Sequence, residues 1–118
     1  NLHPSQVAAQ VDAWRDGRTA VVIQPSWYDL TYAWAKDPNL FRSAAPLEMT
    51  LREQNVFPVQ KDRVPPIDST IATVVHIDAW AALTDPDGRV LHALKAEFQQ
   101  TDSVEADKKT VVRRFRRK

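Results

Sequence analysis

The sequence predicts an α+β domain: a mostly antiparallel sheet of four to five strands with two helices packed on one face. Three observations predict it. Val7, Val11 and Trp14 recur at helical spacing near the start. Thr19 to Gln24 (TAVVIQ) is an unbroken, β-branched apolar run. Two alternating segments flank Asp85-Pro86-Asp87-Gly88, which has the composition of a tight hairpin turn. A chain of 118 residues with 43% hydrophobic and 26% charged residues has a globular composition and room for one core. The expected organisation is a domain over 1–107 followed by a basic segment, 108–118, that forms an edge strand or a tail.

In the first helix Pro4 suits the first turn, where its missing N–H costs nothing, and Gly17 stops the helix. Ala8 joins the apolar stripe, which is read as core packing. The following run, 19–24, is a buried strand ended by Pro25. Two periods compete over Trp27, Tyr28, Tyr32 and Trp34. Tyr28, Leu30, Tyr32 and Trp34 alternate as in a strand, while Tyr28–Tyr32 and Leu30–Trp34 are i,i+4 pairs as in a helix. The β-propensity of aromatics favours the strand. Most of this aromatic group is assigned to the core, with an exposed platform for a peptide, lipid or base as the other reading.

Lys36-Asp37-Pro38-Asn39 is a loop. A second helix is predicted over about Pro46–Gln54 from Leu47 and Leu51, with Asn55 as its C-terminal cap. Val56 to Val59 is a short strand that Pro58 confines to an edge or a bulge. Residues 60–68, with Pro65-Pro66, form an extended loop.

Residues 69–84 form a β-rich run with Ile71, Thr73, Val75 and Ile77 on one parity. Val90, His92, Leu94, Ala96 and Phe98 alternate on the return. Pairing Thr84 with Arg89 sets Asp78 opposite Lys95 and His76 opposite Glu97, two favourable cross-strand pairs; a Gly bulge would shift that register. Residues 101–107 form a polar connection, and Lys109 to Arg116 a last edge strand, where Lys and Arg resist edge-to-edge pairing.

The net charge of +1 hides an asymmetry. Residues 108–118 hold seven of the 16 bases and no acid, which leaves nine bases against 15 acids over 1–107, a balance of −6. The basic end is read three ways: a solubilising terminus, a dock for an anionic partner, or a tail that folds back on its own acidic body. No apolar run approaches the 18 residues of a membrane-spanning helix. The first residue, Asn1, points to a processed or trimmed chain, by removal of an export signal or by a cloning choice.

Catalytic chemistry finds little support. The absence of cysteine excludes disulfides, thiol catalysis and thiolate metal sites. His3, His76 and His92 are widely spaced, and His76 with Asp78 makes too few ligands for a metal. Ser5, Ser26, Ser43, Ser69 and Ser103 have no nucleophile-elbow context. Asp12, Asp16, Asp29 and Asp37 have ordinary surface or capping roles. The expectation is therefore no enzyme, no metal and no cofactor. The candidate partner-binding residues are Trp80, on the polar sheet face, and Lys108, Lys109, Arg113, Arg114, Arg116 and Arg117 of the basic segment.

The stretches VVIQP, LREQNVFPV, STIATVVHIDAW and ALTDPDGRVLHA, in that order, resemble small bacterial envelope domains: TolB amino-terminal-like folds and the auxiliary lipoproteins of ABC-type lipid transport systems. Thr84 to Leu91 is similar to their L-x-D-x-x-G-x-V-L turn. The resemblance covers about residues 20–100 and brings no catalytic residues. It implies a periplasmic or membrane-anchored assembly or docking role, with cytoplasmic location as the alternative. The expected function is a non-enzymatic binding or assembly subunit of a bacterial envelope, secretion or transport complex. Its partners are another protein of the same assembly and anionic lipid headgroups. The alternative is a phage or plasmid structural or nucleic-acid-associated protein that uses the basic end.

Overall fold

The computed structural model describes residues 4–42, 44–60, 63, 66–106 and 109–118. Among them the chain runs α1 (Pro4–Trp14), β1 (Thr19–Gln24), α2 (Tyr28–Lys36), a 3-10 helix (Pro38–Arg42), α3 (Leu47–Glu53), β2 (Val56–Pro58), β3 (Thr73–Ala79), α4 (Ala81–Thr84), α5 (Arg89–Glu97), β4 (Phe98–Glu105) and β5 (Thr110–Arg117). The readings of His3, Ser43, Pro65 and Lys108 lie outside the described residues.

The fold is α+β, with a five-stranded sheet ordered β2-β1-β3-β5-β4. The sheet is mixed rather than mostly antiparallel. β1 runs parallel to both β2 and β3, pairing Val21 with Val56 on one side and with Val75 on the other. β3 and β4 each pair antiparallel with β5. All six residues of β1 are buried, as suits a parallel strand covered on both faces.

Helices cover both faces, not one. On the first face Val7 and Val11 of α1, Tyr28, Tyr32 and Ala33 of α2 and Leu51 of α3 pack on Val21, Ile23, Val75, Ile77 and Val112. On the second, Val90 and Leu94 of α5 join Val59, Ile71 and Phe98 over Ala20, Val22, Val74 and Phe115.

Four elements differ from the sequence prediction. Residues 28–36 are helical, not extended: Tyr28 and Tyr32, one turn apart, both point into the core. The hairpin over 69–99 is absent. Of its first arm, predicted over 69–84, only Thr73–Ala79 is a strand (β3); Ala81–Thr84 is the helix α4, and the return arm Arg89–Glu97 is the helix α5. Burial recurs there at Val90, Leu94 and Phe98, a period of four in which His92 and Ala96 are exposed. The predicted pairs His76–Glu97 and Asp78–Lys95 fall with it, since His76 lies opposite Arg113 and Asp78 opposite Val111. The stretch 101–107, read as a connection, supplies most of edge strand β4, which has a bulge between Gln100 and Asp102. Thr110–Arg117 of the basic segment form an interior strand, β5, flanked by β3 and β4, rather than an edge.

The Asp85-Pro86-Asp87-Gly88 sequence starts a helix instead of turning a hairpin. The Asp85 carboxylate accepts the N–H groups of Arg89 and Val90, and Gly88 takes the left-handed conformation at φ 65°. Asn55 also sits at φ 60° after α3, as a C-terminal cap should, and Pro58 is on an edge strand. No helix of the described residues is long and apolar enough to cross a membrane.

Candidate functional site

Gln24 ends β1, and His76 and Asp78 lie towards the end of the neighbouring parallel strand β3, so their side chains gather on one face of the sheet at the C-terminal ends of its two parallel inner strands. They form a continuous polar chain. Gln24 Nε2 donates to Asp85 Oδ2 at 2.8 Å, and Gln24 Oε1 faces His76 Nε2 at 2.8 Å. Arg113 donates to Asp78 Oδ2 at 2.9 Å and lies 3.4 Å from His76 Nδ1. The donor inventory fixes the tautomer. With the Gln24 amide nitrogen committed to a carboxylate, its oxygen needs a donor, so His76 carries its proton on Nε2 and accepts at Nδ1.

His76 is fully buried. Burial lowers its pKa from 6.5 to about 4; Asp78 and Asp85 pull it up and Arg113 pushes it down, without reversing that result. For Asp85 burial raises the pKa, but the N–H groups of Val90 and Arg89 and the Gln24 amide outweigh it, and the carboxyl is held below its ordinary value. The chain links Asp78 to the start of α5 through groups already hydrogen-bonded to one another, which gives it a structural task.

Beyond Asp78 an open cavity of about 270 Å³ is lined by Asp78, Trp80, Ala81, Ala82, Lys109 and Val111. Lys109 Nζ stands 4.1 Å above the Trp80 ring. Trp80 adopts the left-handed region at φ 98°, and Asp78 Oδ1 accepts the Ala81 N–H just after it. Two of the sequence-predicted residues, Trp80 and Lys109, therefore come together.

The arginines of β5 diverge. Arg113 pairs with Asp78, on the face that α5 covers. Arg114 pairs with Asp102 at 2.6 Å on the other face and lies over Trp14. Arg117 donates to the carbonyls of Ile71 and Asp68 and covers Phe98. Arg116 is exposed. Much of the basic segment thus folds back on the acidic body.

A different surface carries the largest exposed apolar groups. Trp27, Leu30 and Trp34 are 55%, 55% and 64% exposed, at helical spacing along the outer face of α2. The Trp34 ring meets Phe41 of the 3-10 helix at 5.7 Å, and Phe41 is itself exposed. Met49 is exposed on α3, the helix that packs on the 3-10 helix. At the start of α2, desolvation raises the pKa of Asp29, the Leu30 N–H opposes this, and nearby Glu48 of α3 raises it further. Reading 27–34 as a strand hid this face. Its signal in sequence is a second helical stripe, Trp27–Leu30–Trp34, beside the buried pair Tyr28–Tyr32.

No family model, curated protein or solved structure matches the chain.

Proposed function

We propose that this chain is a non-enzymatic binding or assembly subunit that docks a protein partner on the outer face of α2 and the adjoining 3-10 helix. The observation that carries this reading is the exposed stripe of Trp27, Leu30 and Trp34, extended by Phe41. Contiguous apolar surface rimmed by polar residues marks interaction sites, and tryptophan is the residue type that most often dominates them. The polar chain around His76 supports the same reading, because its groups are engaged in holding α5 to the sheet. The basic strand supports it too: Arg113, Arg114 and Arg117 serve intramolecular pairs and carbonyls, so less of their charge faces outward for a polyanion. A bacterial envelope or transport assembly is the setting that the sequence resemblance implies.

Site-specific photo-crosslinking in cells that make the protein tests the proposal. A photoreactive residue at Leu30 or Trp34 should give discrete protein adducts, and one at Gln100 on the β4 edge should not. Adducts from Gln100 alone, or none from α2, would contradict it.

A further inference from the structure

We infer that the α2 face is self-complementary and receives a second copy of this chain, the two α2 helices packing antiparallel with Leu30 of each against Trp34 of the other. The inference rests on the reading of this face as a docking site and names its occupant. Three features of the face support it.

The first is the pattern of the stripe. Turned end for end about a point between Leu30 and Trp34, the stripe maps Leu30 onto Trp34 and brings Trp27 towards the end where Phe41 lies. Each contact across that twofold then sets one exposed apolar side chain against another, and the symmetry repeats it in both directions. The second is area. With an aromatic side chain worth about 150–250 Å², three half-exposed aromatics with Leu30 and Met49 offer on the order of 500 Å² per copy. Two copies reach about 1,000 Å², near the lower bound of a specific interface.

The third is charge. Asp29 stands at the start of α2 with Glu48 nearby, Lys36 stands at its end, and Arg42 follows Phe41, whose ring meets Trp34. Glu48 pairs with Arg52, Lys36 with Asp12, and the Asp37 carboxylate accepts the Asn39 N–H. The antiparallel arrangement brings the acidic end with Asp29 against the partner copy's basic end with Arg42, and the helix dipoles agree with that order. The β4 edge is a poorer surface for self-association. Its charged residues, Asp102 and Glu105, are both acidic, and a bulge interrupts its ladder. A membrane bearing anionic headgroups would meet the Asp29–Glu48 end unfavourably.

Sedimentation equilibrium of the full chain from about 1 to 500 μM tests the inference. The expected species at the upper end is twice 13.4 kDa. Trp34→Ser should raise the dimer dissociation constant about tenfold or more, as loss of a central anchor does. Asp29→Arg and Arg42→Asp should each raise it about two- to fivefold, and the double variant should recover wild-type association. Circular dichroism confirms that each variant is folded. A chain that stays monomeric, a dimer indifferent to Trp34→Ser, or a double variant no better than the singles would overturn the inference. So would Trp34-dependent binding to phosphatidylglycerol vesicles by a chain that stays monomeric. If the chain is monomeric yet Leu30 still crosslinks to a protein of another mass, the docking face stands and the second copy does not.

Discussion

His76 shows how one buried side chain ties acid stability to architecture. Its ring is neutral, donates to Gln24 and accepts from Arg113, so a proton added to Nδ1 would set a buried cation against a guanidinium. The folded pKa of about 4 lies below the unfolded value of 6.5, so between those values the unfolded chain binds more protons. This contribution is therefore fully present above pH 6.5 and is lost as pH falls towards 4. It amounts to about 3 kcal/mol, which urea titrations at pH 7 and 4.5 would detect. His76→Gln should flatten that dependence whatever its effect at pH 7; an unchanged slope in the variant would refute the assignment. Asp85 holds the other end of the chain. Asp85→Ala removes the acceptor for two helix-start N–H groups and strands the Gln24 amide in a buried place. It should cost about 2–3 kcal/mol by the same denaturation assay, and Asp85→Asn clearly less. His76 and Asp78 were visible in the sequence as polar residues on a β-rich run. Their partners were not, because Gln24, Asp85 and Arg113 come from three other elements.

At the scale of elements, legibility followed the uniqueness of each hydrophobic period. α1, β1, α3 and β2 carry patterns with a single reading, and the structure places them as predicted. From α5 into the first residue of β4, Val90, Leu94 and Phe98 satisfy both an even-numbered strand parity and a period of four, and only the exposed His92 and Ala96 separate the two. The capping chemistry of Asp85 and Gly88 resembles hairpin chemistry because both need a side-chain acceptor and a left-handed residue. β4 escaped notice because an edge strand facing solvent needs few apolar residues. Two outcomes check these elements. Gly88→Ala places a Cβ in open space but at φ 65°, so it should destabilise by about 1 kcal/mol through backbone conformation alone. A neutral effect in thermal unfolding would mean that this residue is not left-handed. Amide hydrogen exchange should find Val112 to Phe115 among the most protected groups, since β5 is paired on both sides. Fast exchange along the whole strand would return β5 to an edge.

Across the molecule, the basic end and the apolar face exchange the importance that sequence alone would assign. Clustered arginines are conspicuous in a linear reading, yet folding sets Arg113 and Arg114 on opposite faces of one strand, each beside its own aspartate. The aromatic group over 27–34 splits the other way. A helix sends Tyr28 and Tyr32 inwards and leaves Trp27 and Trp34 outside, whereas a strand would put Tyr32 and Trp34 on one side together. The docking face exists only in the helical arrangement. Residue-resolved hydroxyl-radical footprinting of the chain at low micromolar concentration therefore examines the account at its root. Trp34 should be oxidised far faster than Tyr32 after correction for intrinsic reactivity. Equal protection of Tyr32 and Trp34 would show that the face is not there to be bound.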